Sequence, residues 1–435
     1  MMERLQFSRA SWALLDQAIV SLGTFALNVL LARNLAVADY GRFALLFGIF
    51  LTLQLFNSSL LFHPLSVSLF AAKSGHRGTL LTTTAILTIG LSVSLGTLLA
   101  IGLLLLHQND ILVPAVASFV LWQLQEGARR GLLAEFRHKT AMLGDAIAYL
   151  GQGVVAIVLV LTHSLTLANC LYGMAAMSAI ACVLQAMQVR LSLSSPREIR
   201  SVAHDFWSSG RWVLAYNFVA LLRLQPFPWV LAATSGASAA AFFQAALNIA
   251  NLANPIVLGL CNVIPQTAAQ ARAEGLAASW KAAQKYALMG MPLAFCYYLL
   301  ALALPEFALR AFYGANSPYI VVSAAAQLLV FAMMLNYWAD MAASFLNGVN
   351  AGRTALNVNL IATAAAFLLG LALIPTLGLV GCCLAAVGAN AVRLAFSFYA
   401  LSHFVAADPR STSPRWLIKR LPDWLPKLKV RRPVP

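Results

Sequence analysis

The stretch ALLRLQPFPWVLA, residues 220–232, sets one arginine and two prolines into a run that is otherwise apolar. In a bilayer, a charge near the centre costs about 3 kcal/mol or more, and each proline removes a helical hydrogen bond. What makes a chain accept Arg223 there depends on the rest of the sequence. Hydrophobic residues make up 61% of the 435 and charged residues only 10%. Mean hydropathy is +0.79, whereas ordinary globular chains carry about 25% charged residues. The expected class is therefore all-α integral membrane. A hydrocarbon core takes about 20 apolar residues per helical crossing. Twelve spans are read, near 13–32, 43–62, 80–106, 111–128, 141–162, 165–187, 212–233, 239–262, 286–304, 320–346, 355–375 and 379–405. The longest connection, about 188–211, is too short for a soluble domain, so function is expected within the helices. The first span holds Asp16 and Gln17 and meets the second without a small-residue cleavage site. It is expected to be retained rather than removed as a signal peptide.

Orientation follows from where the cations fall. With the amino terminus cytoplasmic, every Lys and Arg lies on the cytoplasmic side except Arg33, Arg42 and Arg310 opposite, and Arg223 and Arg393 inside spans. The positive-inside rule then places both termini in the cytoplasm. The same asymmetry accounts for the net charge of +15, which would otherwise suggest nucleic acid. Cys170, Cys182, Cys261, Cys296, Cys382 and Cys383 all fall in apolar spans without metal-ligand spacing and are expected to pack. No Gly-rich phosphate loop, zinc motif or nucleophile elbow occurs. No enzyme activity, metal or cofactor is expected.

Residues n and n + 200 pair Trp12 with Trp212, Leu14 with Leu214, Leu31 and Ala32 with Leu231 and Ala232, and Phe43 with Phe243; Pro64 and Pro265 match one residue further on. The span pattern repeats with them. This divides the chain into a six-helix lobe over 1–187, a cytoplasmic linker over 188–211, a second six-helix lobe over 212–405 and a basic tail over 406–435. Six is even, so the halves form a parallel repeat about the membrane normal, the plan of transporters that rock one half against the other.

Several spans carry one polar face. Gln17, Ser21, Thr24 and Asn28 recur at helical spacing on the first, and Gln244, Asn248 and Asn251 on the eighth. Gln54, Asn57 and His63 lie on the second span, Asn336, Asp340 and Asn347 on the tenth, and Asn390, Arg393 and Ser397 on the twelfth. Interhelical hydrogen bonds, worth about 0.6 kcal/mol each, explain any one of them; a shared aqueous cavity explains the set. Asp16, Arg223, Asp340 and Arg393 are too costly to face lipid. Arg223 either meets a substrate anion, to which a planar guanidinium is suited, or pairs with Asp16. Pro226 and Pro228 are expected to bend the seventh helix and aim Arg223 into the space between the halves.

LLARNLAVADYGRFAL (30–45), RRGLLAEFRHKTAMLGDA (129–146), FYGANSPY (312–319), FLNGVNAGRTALNVN (345–359) and LIPTLGLVGCCLAA (373–386) occur in the order and spacing of loops flanking helices one, four, ten and eleven of a known family. Together they resemble the multidrug/oligosaccharidyl-lipid/polysaccharide (MOP) superfamily, in its bacterial polysaccharide-export branch of O-antigen and exopolysaccharide type. Ala36 stands where that branch usually has Gly. The resemblance implies a MOP/MATE-like fold of two lobes. It further implies a flippase carrying an undecaprenyl-pyrophosphate-linked oligosaccharide across the bacterial inner membrane for polysaccharide biosynthesis, beside a polymerase and export machinery. Arg223, Arg393 and Arg42 are the candidate substrate arginines, with Gln17, Asn28, Asn57, Gln244, Asn248 and Asn251 lining the path; Asp16 and Asp340 are the candidate proton or sodium sites. The rival of the same fold is a multidrug exporter of cations. A polysaccharide polymerase or ligase is disfavoured, because the longest non-cytoplasmic connection is about 305–319.

Overall fold

In the computed structural model the described residues are 2–71, 76–189, 191–192 and 195–406, and every regular element among them is helical. Hydrocarbon offers no partner to a backbone N–H or C=O, and a helix is the element that closes those bonds within one segment. The basic tail expected beyond residue 406 lies outside the described residues.

Among the described residues ten helical segments are long and apolar enough to cross a bilayer, so the chain is a multi-pass membrane protein. The first six crossings come from α1 (Met2–Asn34), α2 with α3 (Val37–Asn57, His63–Ala71), α4 (Arg77–Leu105), α5 (Leu112–Ala134), α6 with α7 (His138–Asp145, Gly151–Leu161) and α8 (Leu167–Gln188). Both composite helices join through a π-helical turn, Ser58–Phe62 and Ala146–Leu150, each directly following a buried polar residue, Asn57 and Asp145. Such turns let a helix shift its facing without ending.

The seventh expected span, 212–233, departs from expectation and is not among those ten. Instead of one bent helix over 212–233 there are two, α9 (Pro196–Leu222) and α10 (Pro226–Ser235), separated by Arg223, Leu224 and Gln225. Pro226 starts α10 rather than kinking a continuous helix, since proline at a first helical position gives up an N–H that has no intrahelical partner anyway. α9 also reaches back into the segment read as linker. Ser195 caps it: its Oγ accepts from the Glu198 N–H at 3.3 Å, and Glu198 Oε2 accepts from the Ser195 N–H at 2.7 Å. Those bonds from the Ser195 backbone and hydroxyl hold the Glu198 carboxyl below its ordinary range.

Beyond it run α11 (Ala237–Ala250), a 3-10 turn at Asn251–Ala253, α12 (Asn254–Gln270), α13 (Leu276–Ala303), the short α14 (Pro305–Tyr313), α15 (Ser323–Gly348) and α16 (Gly352–Ala406). α16 is two helices meeting at Gly378, where φ is 55° and ψ −128°, so it supplies both crossings expected over 355–375 and 379–405. Glycine tolerates that backbone where other residues do not.

The chain divides into two compact units. The first comprises Met1–Asn248 and Leu309–Ile320, and the second Ile249–Ala308 with the chain from Val321 onward. In the first unit, Leu61, Phe62, Leu65, Leu69, Leu80 and Leu81 form a buried cluster that receives Val202 and Phe206 from α9. One turn further, Gly210 meets the π-turn: a Cβ there would stand 2.8 Å from the Leu60 Cα and the Ser59 carbonyl oxygen. Neither backbone atom can swing aside. Gly210→Ala is expected to cost about 1–3 kcal/mol through overpacking and to lower the melting temperature in detergent, whereas Gly90→Ala, whose Cβ meets nothing within 4 Å, should leave it unchanged or raise it.

Candidate functional site

Four polar clusters occupy the helix interiors, and the most highly charged centres on Arg129. Its guanidinium donates through Nη2 to Asp16 Oδ2 at 3.0 Å, through Nη1 to Glu126 at 3.2 Å, and through Nε to Asp145 Oδ2. Asp145 Oδ1 accepts from the amides of Gln125 and Gln185, each at 3.1 Å. Arg130, half-exposed, donates to Glu126 at 2.6 Å. Asp16, Glu126, Arg129 and Asp145 are all buried. α5 supplies Gln125, Glu126 and Arg129, while α1, α6 and α8 each bring one partner. Of these, only Asp16 is among the candidates named from the sequence: Arg129 lies just beyond the fourth expected span, which ends at 128, while Gln125, Glu126, Asp145 and Gln185 fall inside expected spans without being singled out. The pairing of Asp16 with Arg223 is corrected: the partner of Asp16 is Arg129. Within this cluster one carboxylate oxygen, Asp16 Oδ1, is buried and without a hydrogen bond.

A second cluster is uncharged. Asn57 donates to Gln123 at 2.9 Å and to Ser92 at 3.2 Å. A third joins the stripes expected on the first and eighth spans: Gln244 donates to Asn248 at 2.8 Å, Asn248 donates to the hydroxyls of Tyr40 and Tyr313 at 3.0 and 3.3 Å, and the Tyr40 hydroxyl donates to Asn28 at 3.5 Å. Tyr40, missed in the sequence, is the bridge. Asn28 also lines an enclosed cavity of about 20 Å³ with Thr24, Trp122, Tyr149, Gln152 and Ser178, which is room for about one water. Gln17 is exposed and bonded to Ser21 at 3.2 Å. Asn251 lies in the 3-10 turn, half-buried.

The fourth cluster lies in the second unit. Arg393 Nη1 donates to Asp340 Oδ1 and Asn336 Oδ1, each at 2.6 Å, and Nε donates to Asn359 Oδ1 at 3.1 Å. Asn336 donates to the other Asp340 oxygen at 2.7 Å. The Gly378 turn makes this possible by folding the arm bearing Asn359 back along the arm bearing Arg393. Two candidates proposed for different roles are thus one ion pair.

Of the remaining arginines, Arg42 is engaged at a helix end by Asp110 at 2.7 Å, Asp39 at 3.3 Å and Gln108 at 2.6 Å. Arg223 is half-buried at the break between α9 and α10. The break is anchored: Gln225 donates to the Gly48 carbonyl at 3.0 Å, and a Cβ on Gly48 would stand 2.8 Å from that amide.

A guanidinium ringed by three carboxylates is the costliest group to remove. Arg129→Met would leave Asp16 and Asp145 with uncompensated charge in a dry interior, Glu126 keeping only Arg130. It is expected to destabilise the protein by about 3–5 kcal/mol, seen as loss of monodisperse protein on size exclusion, with Arg129→Lys retaining part of the stability.

No protein-family model matches the chain, and no curated protein does. Solved structures match along nearly its whole length. An inward-facing MATE-family multidrug-resistance transporter of the MOP superfamily aligns at TM-score 0.75 and 15% identity, over 91% of this chain and 98% of that one. The lipid II flippase MurJ in its inward closed conformation aligns at 0.71 and 9%, over 91% and 87%. A MOP-superfamily transporter from Pyrococcus furiosus, described as having a binding pocket of reverse polarity that suggests a different function, aligns at 0.64 and 15%, over 91% and 94%.

Proposed function

From the fold of MOP-superfamily transporters, we propose that this chain is a flippase moving a polyprenyl-pyrophosphate-linked oligosaccharide across the bacterial inner membrane for assembly of an exopolysaccharide or O-antigen-type polymer. It would work by alternating access of two six-helix lobes, 1–187 and 212–405, with both termini cytoplasmic and a polymerase and export machinery as partners. The neighbours of this fold include both a multidrug transporter and a lipid II flippase, so the choice rests on the charges.

The observation that carries the reading is that the buried and half-buried carboxylates within the helices already have arginines. Asp16, Glu126 and Asp145 meet Arg129, and Asp340 meets Arg393. A cationic drug entering such an interior would have to displace a guanidinium from each carboxylate. An anion meets a different field: Arg223 stands between α9 and α10, and a planar guanidinium grips a phosphate in two-toothed fashion. In proteoliposomes holding a fluorescent polyprenyl-pyrophosphate saccharide, Arg223→Ala is expected to abolish flipping at normal protein abundance and Arg223→Lys to reduce it. Normal flipping by well-expressed Arg223→Ala would remove Arg223 from the site, and dye-cation efflux without flipping would favour the exporter.

Asp16 is the proposed exchange site in the first unit. Its Oδ1 is the oxygen that an incoming proton or small cation would find without a bond to break. Asp16→Asn keeps the shape and one acceptor for Arg129, so folding should survive while gradient-driven flipping is lost. Wild-type dependence of Asp16→Asn on an imposed ion gradient would rule the role out.

A further inference from the structure

Arg393 is the deeper partner of its ion pair: its side chain is 7% exposed, against 24% for Asp340. An anion approaching from outside the protein therefore meets Asp340 before it reaches the guanidinium. The pair is neutral as it stands. Placing a phosphoryl group on Arg393 adds negative charge beside an ionised carboxylate, and like charges in a dry interior favour neutralising the carboxylate.

The groups able to do that are few. Facing Asp340 are Arg393 from α16, Cys261 from α12 and Tyr298 from α13, with Tyr337 on its own helix. A thiol and two phenols are ordinarily uncharged at neutral pH, so Arg393 alone balances Asp340. If a phosphate takes Arg393, Asp340 loses the one countercharge it has among the described residues. A second observation points to the same place. Asn390 lies one helical turn before Arg393, on the same face, and both polar atoms of its amide are buried and without a partner. Its N–H₂ is a buried donor without a bond, on the helix face that carries Arg393.

We propose that Arg393, with Asn390, is a phosphate-ester site kept closed by Asp340, and that filling it is linked to uptake of one proton by Asp340. The identification of the ester as a pyrophosphate rests on the flippase reading; the linkage itself does not. Asp340 acts as the competing ligand: protonated, it can still accept from Asn336 but releases the guanidinium. Proton and anion then enter together, opposite to an exchanger in which one displaces the other.

The test is calorimetric titration of the purified full chain in nanodiscs with inorganic pyrophosphate, repeated in buffers of different ionisation heat. Subtracting Asp340→Asn from wild type removes the proton chemistry of pyrophosphate itself. Wild type should take up about one proton more than Asp340→Asn and bind more weakly as the buffer is made alkaline. Asp340→Asn should bind about tenfold tighter than wild type in alkaline buffer, Asp340→Glu should keep the uptake, and Arg393→Gln should lose the proton-linked part of binding. Proton uptake unchanged in Asp340→Asn, a sodium requirement in place of the proton, or no pyrophosphate binding by any variant would overturn the proposal. Linked binding in a protein that flips no polyprenyl saccharide would retain this inference and refute the flippase reading; flipping with unlinked binding would do the reverse.

Discussion

A charge inside a bilayer must bring its own counterion, and that constraint organises this protein more than any apolar contact. Arg129 satisfies it for Asp16, Glu126 and Asp145 at once, drawing α1, α5 and α6 to a single point, with Gln185 of α8 closing the ring. Apolar packing between helices gains little when lipid is as apolar as leucine. Ion pairs and buried amides therefore decide which helix faces which. The two π-turns fit this picture, since each follows a residue, Asn57 or Asp145, whose side chain must reach a fixed polar partner.

The second unit solves the same problem with less. Arg393 and Asp340 form one pair, extended by Asn336 and Asn359, and the pair depends on the reversal at Gly378. Where the first unit surrounds its arginine with acids, the second leaves a single carboxylate over its arginine. That difference gives the two units different chemistry: in the first an acid group has an open oxygen, and in the second a cation is held behind an acid.

Most of the fold was legible in the sequence because lipid enforces a simple rule of length and hydropathy. The expected spans reappear within a turn or so at most positions, and Gly378 sits where two of them were separated. The seventh differs because hydropathy cannot tell a bent helix from two successive ones: Pro226 is compatible with both, and in the structure it is the first residue of α10. The site was half legible. Asp16, Asp340 and Arg393 stand out as charges within apolar runs. Glu126 and Asp145 do not, because each lies within about a turn of the end of an expected span, where a charge reads as the edge of the bilayer; Arg129 does not because the fourth expected span ends at 128, whereas a compensated cluster lets α5 continue buried through Arg129. The pair at i and i+3, Glu126 and Arg129, was the available signal. Tyr40 left none, since an aromatic in an apolar helix reads as packing.

The central claim is that the cargo is anionic and that the arginine-paired carboxylates do not bind a cationic drug. Native mass spectrometry of the purified protein tests it most directly, with a polyprenyl-pyrophosphate saccharide and a lipophilic quaternary ammonium offered at equal concentration. The account predicts a one-to-one complex with the pyrophosphate lipid that weakens in Arg223→Ala, and none with the ammonium. Retention of the ammonium in place of the pyrophosphate lipid would contradict it.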